Sequence, residues 1–182
     1  DYPQLKPGDE IKLSDVKMKD VSGESFSLME LKKENGLLVN FSCNNCPFVK
    51  MWEDRYDEVK ELCEKNKIGY VLVNSNYKKR EGDDSYDNMV TYAREKNYDC
   101  FYLLDKESKL ANSFGAKTTP HVFLFNSELK LNYVGAIDDN YKDKSSVSKF
   151  YVKDAIESQG RGEKVKKRFT KPVGCSIKRK AS

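Results

Sequence analysis

Leu37-Leu38-Val39-Asn40-Phe41-Ser42-Cys43-Asn44-Asn45-Cys46-Pro47-Phe48 carries a short apolar run straight into two cysteines three positions apart and then a proline. Leu37 to Phe41 has the length and composition of a buried strand. Phe48, Trp52, Tyr56, Val59 and Cys63 follow at steps of three and four, the stripe of an amphipathic helix whose first turn holds Pro47. The cysteine pair is therefore expected between the end of a strand and the start of a helix. Free N–H groups and the helix dipole favour a thiolate there, and a second thiol at i+3 is close enough to resolve a mixed disulfide. Metal knuckles share the C-x-x-C spacing, but this chain has no second close pair and only one histidine, His121.

Working outward, residues 8–22 alternate as a strand, and Val21-Ser22-Gly23-Glu24 turns into a short return strand at Ser25–Ser27, which makes an N-terminal hairpin. A helical turn or two is expected over Leu28–Glu34. Ile68–Val73 reads as a second buried strand, followed by a polar loop through Asp84 and a helix carrying Tyr86, Met89, Val90 and Ala93. Phe101–Leu104 reads as a strand, Lys106–Phe114 as a helix closed by Gly115, and His121–Phe125 as a strand reached through Thr118-Thr119-Pro120. Leu129, Leu131 and Tyr133 alternate as the other arm of an antiparallel hairpin, and a last helix is expected over Ser146–Ser158. This βαβ rhythm predicts an α/β fold with a mixed sheet flanked by helices.

The 182 residues, 38% hydrophobic and 34% charged, suit one domain over 1–160 with a tail over 161–182. No apolar run approaches the roughly 18 to 20 residues of a membrane span. The net charge of +4 is unevenly placed: the tail holds nine Lys/Arg against Glu163 alone, a net +8, which leaves −4 on residues 1–160. Such a tail suits an anionic surface or a solvated segment lying on its own domain, and it lacks the interleaved aromatics of a base-stacking surface, so no nucleic-acid partner is expected. The five cysteines are too few and too irregular for a disulfide scaffold.

The strand Val39-Asn40-Phe41, the pair Cys43-Asn44-Asn45-Cys46 and the Thr119-Pro120 step before a final hairpin resemble the thioredoxin-fold redoxins. The leading hairpin is similar to that of the envelope thiol–disulfide oxidoreductases and the peroxiredoxins. Phe-Ser-Cys-Asn-Asn-Cys-Pro-Phe-Val, Val-Asn-Ser-Asn and the terminal Val-Gly-Cys-Ser-Ile-Lys further resemble the bacterial alkyl hydroperoxide reductase/thiol-specific antioxidant domain proteins. The resemblance implies a thioredoxin fold with an added N-terminal hairpin and a basic C-terminal tail, and a cis Thr119-Pro120 bond beside the cysteines. It implies a thiol–disulfide oxidoreductase with no cofactor and no metal, a monomer exchanging with protein thiols and an electron donor or acceptor. The compartment implied is the bacterial periplasm or cell envelope, with the cytoplasm as the alternative. Cys43 is assigned as nucleophile and Cys46 as resolver, with Thr119 and Pro120 holding the substrate chain. A gap-free alignment would instead set Cys46 at the first thioredoxin cysteine, because the loop before Cys43 is shorter than usual and lacks the Trp.

Two other functions stay open. A peroxiredoxin-like peroxidase would use Cys46, although Cys43 replaces the peroxidase Thr of Thr-x-x-Cys-Pro, and Thr-Pro-His stands where the Arg strand would begin. A non-catalytic binding module would use the same groove. Cys63 and Cys100 read as small buried hydrophobes. His121 reads as structural, with thiol tuning as the alternative. Asn40 replaces the buried acid of thioredoxins. Asn74 and Asn76 either cap a loop or bond near the site. Cys175 lies in a tail that looks disordered, yet the opposite charges of tail and body favour docking, with Phe169, Val173 and Ile177 as anchors. From there it would be a third redox thiol, unless it is buried or idle.

Overall fold

The computed structural model describes residues 2–181. The chain opens with β1 (Met18–Asp20), β2 (Ser25–Phe26) and α1 (Leu28–Leu31), then β3 (Leu37–Ser42), α2 (Pro47–Trp52) and α3 (Tyr56–Lys65). β4 (Gly69–Asn74), α4 (Tyr86–Glu95), β5 (Phe101–Leu104) and α5 (Lys109–Phe114) follow, then β6 (Thr118–Thr119), β7 (His121–Phe125) and β8 (Leu131–Gly135). α6 (Tyr151–Gly160) and β9 (Cys175–Ser176) complete the order. Seven strands form one mixed sheet in the order β2-β1-β5-β4-β3-β7-β8, and β6 pairs with β9 in a separate two-stranded ladder. β3, β4 and β5 run parallel, β7 lies antiparallel to β3, and β1 lies antiparallel to both β2 and β5.

Strand alternation sorts the core into two layers. Leu38 of β3 faces Val59 and Cys63 of α3, Met89 of α4 and Ile156 of α6. Leu37, Val39 and Phe41 face the other way, onto Leu28 of α1 and Leu110 and Phe114 of α5. Phe41 meets Phe114 and Phe123 edge-on there, each with centroids 5.6 Å apart, and Phe114 and Phe123 pack tilted at 5.2 Å. Gly36 turns the chain into β3 at φ 124°, and a Cβ there would overlap the Phe125 carbonyl.

Several boundaries differ from expectation. Of residues 8–22 only Met18–Asp20 is strand; the earlier part instead bonds the far edge of the sheet, with Gly8 N donating to Leu131 O at 2.7 Å and Ile11 N to Leu129 O at 2.9 Å. α1 ends at Leu31, after a Ser27–Glu30 capping box, because Lys32 turns extended. The helix expected from Pro47 to Cys63 is broken by a 3-10 turn at Glu53–Arg55, where the buried Arg55 guanidinium donates to the Met51 carbonyl at 3.0 Å. Glu107 and Ser108 take left-handed backbone, so α5 starts only at Lys109, its first N–H groups received by Asp105. The last helix begins at Tyr151, five residues after the expected Ser146.

The tail is packed, not loose. Val165 and Thr170 are buried, and Thr170 N donates to Val134 O at 3.0 Å along the edge of β8. From there the chain crosses back to the carboxyl end of β3.

Candidate functional site

Cys43 follows β3 and Cys46 is the N-cap of α2, with Pro47 in its first turn. Both side chains are almost wholly buried. The Thr119-Pro120 bond is cis and lies beside them. Thr119 Oγ1 sits 3.4 Å from Cys43 Sγ and 3.7 Å from Cys46 Sγ, so one hydroxyl touches both sulfurs.

The sulfur of Cys46 is bonded to Cys175, 129 residues away, and Cys43 is a free thiol. β9 pairs antiparallel with β6, Cys175 opposite Thr119 and Ser176 opposite Thr118. Trp52 Nε1 donates to the Val173 carbonyl at 3.0 Å on one side of the cysteine, and Lys178 N donates to Asn76 Oδ1 at 2.9 Å on the other. Thus Cys43, Cys46, Thr119, Pro120 and Cys175 are brought together in one place.

A residue that the sequence did not single out holds the loop between the cysteines. Asp84, buried, accepts from Asn44 N at 2.8 Å, Asn74 Nδ2 at 2.9 Å and Asn76 Nδ2 at 3.1 Å. Tyr102 OH donates to Asn44 Oδ1 at 2.6 Å, and Arg80 donates to Asn74 Oδ1 at 3.1 Å and to the Asp84 carbonyl at 2.8 Å. Asn74 and Asn76 therefore both cap the loop and touch the site. Nothing in Glu81-Gly82-Asp83-Asp84 marks the last acid as the buried one.

Burial pushes the Cys43 thiol up to about 12; the Thr119 hydroxyl works against the rise and the Asp84 carboxylate adds to it. Cys43 is thus a protonated thiol at neutral pH. His121 is buried in β7, its Nδ1 accepting from Lys117 N at 3.1 Å, and burial pulls its pKa down to about 3. It is a neutral structural ring and supplies no imidazolium to the thiols. Cys63 is fully buried in the core, and Cys100 is half-buried just before β5. Among the described residues no group of three or more His, Cys, Asp and Glu side chains is arranged to hold a metal ion, and no helix is long and apolar enough to cross a membrane.

The AhpC/TSA family model matches residues 7–134, and the chain belongs to that family. A crystal structure of an uncharacterized conserved protein from Geobacillus kaustophilus is similar over 100% of this chain and 95% of that one, at 27% identity and a TM-score of 0.86. A hypothetical protein from Sinorhizobium meliloti 1021 is similar over 100% and 97%, at 24% identity and a TM-score of 0.84. Peroxidoxin BcpB from Mycobacterium tuberculosis is similar over 87% and 98%, at 15% identity and a TM-score of 0.66. The latter two speak for the fold alone. No curated protein matches the chain. The thioredoxin-like α/β fold expected from the motifs is the fold observed, and the chain is a redoxin with a thiol redox role. The family match stops before α6 and the tail, whereas the G. kaustophilus match runs through both.

Proposed function

We propose that this redoxin is a protein thiol–disulfide oxidoreductase whose working dithiol is Cys43 and Cys46. The observation that carries the reading is the docked strand: an extended segment lies antiparallel on Thr118-Thr119, beside cis-Pro120, with its cysteine bonded to Cys46. That is the arrangement of a mixed disulfide with a polypeptide. It reverses the roles expected from sequence order, since Cys46 holds the partner sulfur and Cys43 is the thiol behind it.

In this mechanism the Cys46 thiolate attacks a substrate disulfide, one substrate sulfur leaves as thiolate and takes a proton, and a Cys46–substrate bond remains. Cys43 then loses its proton and attacks Cys46 Sγ, and the second substrate sulfur leaves as a thiol. Two electrons have passed from the dithiol to the substrate, and an external thiol donor restores the pair. Thr119 Oγ1 is placed to donate to either sulfur as negative charge develops on it.

A peroxidase using Cys46 is the second reading, because a peroxide-oxidised Cys46 resolved by Cys175 would close the same bond. Peroxide cleavage at a thiolate is ordinarily helped by a cation. Here Arg55 is committed to the carbonyls of Met51, Asn140 and Tyr141, and Arg80 to Asn74 and Asp84. The two readings are separated by trapping. With a disulfide-bonded protein substrate, reduced Cys43→Ser carrying Cys175→Ser should accumulate a Cys46-linked adduct by mass spectrometry, and Cys46→Ser carrying Cys175→Ser should not. An adduct only at Cys43 in Cys46→Ser would restore the original role order. Peroxide turnover far faster than disulfide turnover in the wild type would favour the peroxidase.

A further inference from the structure

Between Val173 and Lys178, every hydrogen bond that the described residues of the groove make to the tail falls on the tail's main chain. Trp52 Nε1 bonds the Val173 carbonyl, Thr118 and Thr119 pair with Ser176 and Cys175, and Ile177 N donates to Lys117 O at 3.1 Å. Lys178 N donates to Asn76 Oδ1, and Lys78 N to the Lys178 carbonyl at 2.9 Å. A groove that grips main chain over six residues is indifferent to most side chains.

Two side-chain positions are exceptions. A Cβ on Gly174, the residue before the cysteine, would overlap the Thr119 carbonyl oxygen and stand 3.1 Å from Pro120 N. Both are backbone atoms of the cis-proline step and have no rotamer to yield. Two residues after the cysteine, Ile177 is buried with the apolar cluster that contains Leu110, Phe114 and Ala116. Lys178 and Ser176 point their polar ends at each other and demand nothing of the groove: Lys178 Nζ donates to Ser176 Oγ at 2.9 Å.

The geometry points to a substrate class: extended protein segments of the form Gly-Cys-x-aliphatic, for which the chain's own Val173-Gly174-Cys175-Ser176-Ile177 holds the place. The inference rests on the oxidoreductase reading and adds the sequence rule. Exchange with such a segment follows after the tail has left. The Cys43 thiolate attacks Cys46 Sγ, the Cys46–Cys175 bond breaks, and Cys175 departs as a thiolate that takes a proton, with no net change in oxidation. The Cys43–Cys46 disulfide so formed is reduced by the external thiol donor, and the freed Cys46 thiolate attacks the disulfide of the incoming peptide as above.

The test uses the full chain carrying Cys43→Ser and Cys175→Ser, so that adducts at Cys46 persist. The probes are the symmetrical disulfide dimers of the acetylated peptide Val-Gly-Cys-Ser-Ile-Lys and of the same peptide with Val for Gly or Ser for Ile. Attack at either sulfur of such a dimer gives the same adduct and frees one peptide thiol, and mass spectrometry follows the rate. The resident tail slows all three probes by the same factor, so the ratio of rates is the readout. The Gly peptide should react about tenfold faster than the Val peptide, and the Ser-for-Ile peptide should also be slower. Equal rates overturn the sequence rule and leave the oxidoreductase standing. If oxidised glutathione and all three peptides fail to modify Cys46, both fall. Adding Gly174→Val, which expels the tail, should raise the absolute rates and preserve the ratio; a lost ratio would count against the rule.

Discussion

The carboxylate of Asp84 accepts the main-chain amide of Asn44 at 2.8 Å, across 40 positions of sequence, and so pins the loop between the two cysteines to the end of β4. The same carboxylate receives Asn76, whose own Oδ1 receives Lys178 N from the tail. One buried acid therefore links the geometry of the cysteine loop to the seat of the C-terminal strand.

Asp84→Ala should destabilise the protein, because three buried donors lose their acceptor at once. An unsatisfied buried donor costs about 1–3 kcal/mol, and local water entry will relieve some of it, so a loss of about 3 kcal/mol is expected. Urea unfolding should show a lower midpoint at unchanged slope. A midpoint within error of wild type would mean that the loop is held without Asp84, by Tyr102 and by the Asp83 carbonyl, which accepts from Asn44 Nδ2 at 2.9 Å.

The buried thiol of Cys43 makes stability depend on pH in a defined direction. Its folded-state pKa is raised from 9.0 to about 12, so in alkali the unfolded chain gives up the proton first. The contribution is fully present below pH 9 and is lost as pH rises from there toward 12. Urea unfolding of wild type and Cys43→Ala at steps from about pH 7 to 10.5 checks this, since Cys63 and Cys100 are common to both and cancel. Wild type should lose stability more steeply than the variant above pH 9; parallel curves would show that Cys43 ionises as freely in the fold as out of it.

What could be read in advance divides by how local the cause is. β3, the cysteine loop and the start of α2 are written in consecutive residues, as is the Thr119-Pro120 step, and these lie where the pattern puts them. Glu107 and Ser108 break the expected helix because Asp105, outside it, takes the amides of Leu110 and Ala111. The alternation of residues 8–13 is real, but it serves a bridge from Glu10 to Lys130 across the sheet. Asp84 was hidden because an acidic turn reads as solvated, and its burial depends on Asn44, Asn74 and Asn76 converging from two other segments. The bond from Cys46 to Cys175 likewise depends on a ladder between β6 and β9 that two residues of each strand cannot announce.

Trp52, the chain's single tryptophan, reports directly on that ladder. Its ring is buried and its Nε1–H is spent on the Val173 carbonyl, just before the close approach of Gly174 to Thr119. Two substitutions separate the covalent hold on the tail from the main-chain hold. Cys175→Ser opens a disulfide spanning 129 residues, so loop-closure entropy should cost about 5 kcal/mol of global stability. The main-chain bonds survive it, so Trp52 emission should stay close to wild type in the folded baseline. Gly174→Val with Cys175→Ser sets a side chain against backbone, so the strand should leave and the indole nitrogen should turn to water. A red-shifted emission and stronger acrylamide quenching are expected in that variant under native conditions. If Cys175→Ser alone shifts the emission as far as the double substitution does, the disulfide is what seats the strand; if neither shifts it, Val173 stays on Trp52 without Gly174, and the close approach to Thr119 does not control docking.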